Sequence, residues 1–103
     1  MPFNGTESKI VTLADASVWT SNYRRTIAQG EIIAHFFGKD KLNDILTQSG
    51  CMGIRMYHGL DNGKKNLVLV GADASENDMV NGVILENSIP CPTNCSSSNS
   101  LNS

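Results

Sequence analysis

Three cysteines, Cys51, Cys91 and Cys95, and two histidines, His35 and His58, are the side chains with the widest chemical reach in this 103-residue chain. The Cys-x3-Cys spacing of Cys91 and Cys95 falls within the range used by zinc ligand pairs, and Cys51 with His58 or His35 could complete a tetrahedral set. A structural zinc site of this kind normally shows two tight ligand pairs, and only one is present. The same two cysteines could close a small disulfide loop, a bond that a cytosolic chain does not keep oxidised. The missing second pair favours the plainest expectation, three ordinary thiols with Cys51 packed at a helix-to-strand junction. Zinc on Cys51, Cys91 and Cys95 stands as the alternative.

Thiol catalysis requires a thiolate beside a base. Cys51 and His58 lie seven residues apart on one expected strand, and an odd separation places them on opposite faces. At 3.3 Å per residue they are also about 23 Å apart. A regular strand therefore excludes a dyad, and a thiol-dependent enzyme ranks behind a binding or interaction role. His58 alternates with Ile54, Met56 and Leu60, the pattern of a half-buried sheet residue; His35 stands among Ile33, Phe36 and Phe37.

The acidic stretch from Asp73 to Asp78 begins like a calcium loop, with oxygen-bearing side chains at alternate positions. Its sixth position should be Gly and is Asp78, and its twelfth should be Glu and is Ile84, so it reads as a solvated turn. Asp40, Asp44 and Asp61 form no acid–base pair, and the glycines fit no phosphate-binding loop. Two glycosylation sequons, Asn4-Gly-Thr6 and Asn94-Cys-Ser96, need a secretory route to be used.

The elements that would position these groups follow from hydrophobic spacing. Thr12 with Asp15 three residues on marks a helix start. Leu13, Ala16, Trp19, Tyr23 and Ile27 recur at three- and four-residue steps, which predicts a helix over 12–29 ending at Gly30. Residues 31–37 are a short second helix or a buried connection. Asp40 is expected to cap a further helix carrying Leu42, Ile45 and Leu46. Residues 51–60 alternate with period two, Asn62-Gly63 is a hairpin turn, and 66–72 is apolar on both sides. A third strand is expected over 79–86, broken at Asn81-Gly82. Helices followed by strands make an α+β layout. The domain then spans 1–86, followed by an uncharged Cys/Pro/Ser/Asn-rich tail over 87–103, either disordered or laid along a neighbouring surface in an assembly.

Eight basic against ten acidic residues give a net charge of −2, which argues against a nucleic-acid partner. No apolar run is long enough to span a bilayer, and the opening residues lack a signal-peptide pattern. These features predict a soluble cytoplasmic protein.

The segments GCMGIRMYHGL at 50–60, NLVLVGADASENDM at 66–79 and IPCPTNC at 89–95 resemble a group of small uncharacterised bacterial proteins. These share a GCxGIR strand, an LVLVGxD strand with an Asn-Asp-Met turn, and a Cys-Pro-x-x-Cys-type tail. The resemblance spans roughly 31–103 and brings neither a function nor site residues with it.

The expected fold is two or three helices packed on one face of a three-stranded antiparallel sheet. The two-sided apolar strand then leaves one face to be covered, and a second copy is the simplest cover. Leu67, Val68, Leu69 and Val70 are the candidate interface residues of a non-enzymatic, self-associating structural or protein-interaction module. A small ligand- or zinc-binding protein using the C-terminal cysteines is the alternative.

Overall fold

In a computed structural model describing residues 2–103, the elements run α1 (Leu13–Arg24), β1 (Ala34–Phe36), α2 (Lys39–Leu46), β2 (Cys51–Asp61), β3 (Lys64–Asp73), β4 (Ile84–Leu85) and β5 (Ile89–Cys91). The class is α+β, with two helices and two separate antiparallel sheets rather than one. β2, β3 and β4 form a three-stranded sheet in that order, and β1 pairs with β5. The chain falls into two compact units, Met1–Glu7 with Phe37–Ser88, and Ser8–Phe36 with Ile89–Ser103. This division differs from the expected domain of 1–86 followed by a tail.

The larger unit is built on the β2–β3 hairpin. Asn62 and Gly63 both take positive φ, 52° and 80°, so the two-residue loop is of the I′ type whose twist matches the strands. It pairs Asp61 with Lys64 and carries the ladder on to Cys51 opposite Asp73, with one irregularity between Cys51 and Gly53. α2 packs against both strands. Its Ile45 is fully buried while Leu42 is half-buried and Leu46 exposed. The N-cap is Gly38 rather than Asp40, which instead lies in the first turn, where a carboxylate suits the helix dipole.

The third strand is far shorter than the alternation over 79–86 predicts, pairing only Leu85 with Leu69 and Ile84 with Val70. The Gly71 carbonyl that would continue the ladder accepts the Met79 N–H at 2.8 Å, and Gln48, just after α2, engages the opposite side. Its side-chain oxygen accepts the Val83 N–H at 2.8 Å, and its amide nitrogen donates to the Ile45 carbonyl at 3.0 Å. A main-chain donor that would extend the ladder is thus taken by a side chain. A Cβ at Gly82 would fall 2.1 Å from Gln48 Oε1, so the contact requires glycine there.

In the smaller unit, the Thr12 hydroxyl accepts from the Asp15 N–H at 3.1 Å, the expected cap. The helix stops at Arg24, well short of Gly30. Thr26 turns the chain back, its amide and its hydroxyl both donating to the Tyr23 carbonyl at 2.9 and 2.7 Å. Residues 34–36 form a strand, not a helix, because β5 supplies their partner: Ala34 faces Cys91, His35 faces Pro90 and Phe36 faces Ile89. The tail is therefore part of this unit. Ser17 and Ser100 hydroxyls meet at 2.9 Å, and Arg24 donates to the main-chain oxygens of Leu101 and Ser103.

Buried apolar residues are few among the described residues: Ile45, Leu69, Val70 and Ala72 in the larger unit and Cys91 in the smaller. α1 buries none. Of the four candidate interface residues, Leu69 and Val70 are already covered within the chain, and only Leu67 and Val68 keep surface. Leu69 lies on the face that receives α2, and Val70 lies on the opposite one. Truncating Ile45 to Ala should cost about 2–5 kcal/mol, against well under 1 kcal/mol for exposed Leu46→Ala apart from helix propensity. Urea denaturation of the two variants measures the difference.

Candidate functional site

The hairpin register assigns every β2 side chain to a face. Arg55 and Tyr57 stand opposite Val70 and Val68 on one face, while Met56 and His58 stand opposite Leu69 and Leu67 on the other. The irregularity near Met52 inserts one residue, so Cys51 returns to the face of Gly71, Leu69 and Leu67. A Cβ on Gly71 would lie 3.1 Å from Cys51 Sγ and 3.2 Å from Ile45 Cγ2, which fixes both beneath α2. Cys51 therefore shares the face of His58, whereas a regular strand would set the two on opposite faces. The length of β2 still separates Cys51 from His58. The thiol donates to the Gly53 carbonyl at 3.2 Å, and no base is among its hydrogen-bond partners.

On the opposite face a polar cluster is assembled from three segments. Arg55 Nη1 donates to Asp78 Oδ1 at 2.6 Å and to the Glu76 carbonyl at 3.1 Å, while the Tyr57 hydroxyl donates to Asp78 Oδ2. The Phe3 ring lies with its centroid 5.5 Å from Arg55 Cζ, a cation–π contact. The Phe3 N–H bonds the Ala74 carbonyl at 3.0 Å, tying the N-terminal segment to the turn after β3. Asp73 shapes that turn by accepting from the Ser75 and Asn77 amides at 2.9 and 3.0 Å. Asp78, read from sequence as part of a solvated turn, is thereby the hub of the cluster. The i, i+2 spacing of Arg55 and Tyr57 was the signal available in the sequence; the partner 20-odd residues on was not.

The Tyr57 hydroxyl and then the Arg55 guanidinium hold the Asp78 carboxyl below its ordinary range, and the same carboxylate raises the Tyr57 hydroxyl and the Arg55 guanidinium. With Arg55 and Asp78 side chains 33% and 21% exposed, this is a partly solvated pair.

The smaller unit holds a cavity of about 410 Å³. Ile33, Phe36, Ile89 and Leu101 supply apolar wall, Asn94 and Asn99 supply amides, and no Asp, Glu, Lys or Arg lines it. His35, half-buried, also faces it. Cys91 forms part of the wall and is joined to Cys95 by a disulfide, which corrects the expectation of three free thiols. The Asn94 N–H donates to the Pro90 carbonyl at 3.0 Å across the same loop. Cys51 belongs to the other unit. Among the described residues no group of three His, Cys, Asp or Glu side chains is placed to hold a metal ion, and no helix is long and apolar enough to cross a membrane. No protein-family model, curated protein or solved structure matches the chain.

Two outcomes follow from these contacts. Because folding lowers the Asp78 pKa, its stabilisation is complete above the ordinary carboxylate range near pH 4. It is lost as the pH falls through the lower folded value. The stability gap between wild type and Asp78→Asn should therefore be full at pH 7 and shrink steadily below pH 4, as read by denaturant unfolding across pH. For the disulfide, the loop closed is so short that chain entropy assigns it only about 2 kcal/mol. A Cys91→Ser/Cys95→Ser variant should lose about that much and keep its far-UV circular dichroism.

Proposed function

We propose that this protein is a non-enzymatic, self-associating structural or interaction module. The observation that carries the reading is the exposed apolar surface at the turn-proximal end of the β2–β3 hairpin. Met56 is 58% and Leu60 73% exposed on one face, and half-exposed Tyr57 and Ile84 flank half-buried Val68 on the other. A twisted ribbon that is apolar on both sides and covered on one side of one end is far from the usual half-wet antiparallel sheet. The small core points the same way, since two fully buried large side chains leave little to stabilise a chain of this size alone. A second copy would supply the missing cover.

The neutral, apolar-walled cavity of the smaller unit supports a second reading, a receptor for a small uncharged ligand. The Cys91–Cys95 bond favours an oxidising compartment over the cytoplasm expected from the sequence. The two functional readings separate on oligomeric state. Light scattering at ~100 μM, where even micromolar affinity shows, should find wild type associated and Met56→Lys shifted toward monomer, because a lysine there replaces exposed apolar surface that association would bury. A strictly monomeric wild type favours the ligand-binding reading.

A further inference from the structure

β2 lies at one edge of the three-stranded sheet, with β3 on its inner side and, among the described residues, no strand on its outer side. In a two-residue hairpin the residues flanking the turn exchange main-chain hydrogen bonds, and bonded and non-bonded pairs alternate from there. Asp61 and Lys64 flank the turn, so Asp61, Gly59, Tyr57 and Arg55 bond inward to β3. The N–H and C=O groups of Leu60, His58, Met56 and Ile54 point outward. Among the described residues, none of these outward groups has a main-chain partner elsewhere. The strand carries few of the usual protections of an edge: residues 51–61 contain no Pro and no Lys, and its charges, Arg55 and Asp61, stand at the two ends of the regular stretch. Only its first residues are blunted, by the irregularity between Cys51 and Gly53. The regular open stretch is thus 55–61, whose centre is His58.

We propose that this edge pairs antiparallel with β2 of a second copy about a twofold axis through His58, joining two three-stranded sheets into one of six strands. The proposal deepens the self-association reading and rests on it. The register follows from two constraints. Outward-facing residues must pair with outward-facing residues, so even-numbered positions meet even-numbered ones. Among the registers that satisfy this, centring on Arg55 or Asp61 stacks like charges, and centring on Met56, Tyr57, Gly59 or Leu60 gives neither Arg55 nor Asp61 a partner of opposite charge on the strand. Centring on His58 sets Arg55 of each copy opposite Asp61 of the other, twice over. The same register pairs Met56 with Leu60, covering two of the most exposed apolar side chains on the sheet, and places Tyr57 opposite Gly59.

Two sets of variants test the pairing. Proline at position 58 removes an N–H that β3 does not use and so should leave the hairpin folded. His58→Pro should weaken the dimer at least tenfold by sedimentation, with unchanged circular dichroism. The second test does not depend on that variant folding. In a Cys51→Ser background, where the introduced thiol is the sole free one, His58→Cys should form a covalent dimer with oxidised glutathione. Across the axis the two Cα atoms would be about 5.5 Å apart, within disulfide reach. Met56→Cys in the same background should not, since its two copies would stand roughly 14 Å apart along the strands. Dimers that persist in folded His58→Pro, or equal trapping at 56 and 58, overturn the edge pairing while leaving self-association in place. A wild type that is monomeric at ~100 μM overturns both.

Discussion

The Asn62-Gly63 turn is the constraint on which the larger unit depends. Two consecutive residues at positive φ admit one loop geometry, and that geometry pairs Asp61 with Lys64. The pairings from there as far as Gly53 opposite Ala72 are consequences. Leu69 falls on the side that receives Ile45 of α2, and Val70 falls on the side of Arg55. Sliding the register by one residue would send Leu69 to the other face and Val70 beneath the helix. The turn also determines which main-chain groups of β2 point inward, and hence what the edge can offer. Asp78 then locks the far end by joining β2 to the turn after β3, with the Phe3 ring against the guanidinium.

The smaller unit is held by different means. Its helix buries no side chain, and its two-stranded ribbon is of a size that is marginal in isolation. Cohesion comes instead from covalent and polar links: the Cys91–Cys95 bond, the β1–β5 ladder, and the hydrogen bonds of Ser17 and Arg24 to the last residues. Asn99 and Asn102 fold those residues onto themselves, with the Asn102 side-chain oxygen accepting from the Asn99 N–H at 2.9 Å and the Asn99 side-chain oxygen accepting from the Leu101 N–H at 2.8 Å. Short side chains with both donors and acceptors can satisfy a main chain that has no regular partner.

Local signals in the sequence were sound guides. The Thr12 cap, the helix containing Ile45, the hairpin and its turn are each specified by residues within a few positions of one another. What the sequence hid was nonlocal. β1 is a strand because of β5, and nothing within 31–37 announces a partner at 89–91. β4 is short because Gln48, from a different element, takes the Val83 N–H, and Met79 takes the Gly71 carbonyl. The bulge near Met52 has no sequence mark apart from Gly53, yet it reverses the face assigned to Cys51. The candidate surface was legible only in part: the two-sided apolar strand is real, but Leu69 and Val70 are spent on the chain's own packing, and the exposed remainder lies on β2 as much as on β3.

The grip of Arg24 on residues 101–103 has a consequence for how that segment can change. The guanidinium meets the oxygens of Leu101 and Ser103, groups that every residue type carries. The recognition is blind to the side chains at those two positions, so residues there can be exchanged without loss of this anchor, whereas shifting the main chain by insertion or deletion would move the carbonyls out of reach. Such an attachment preserves spacing and leaves spelling free.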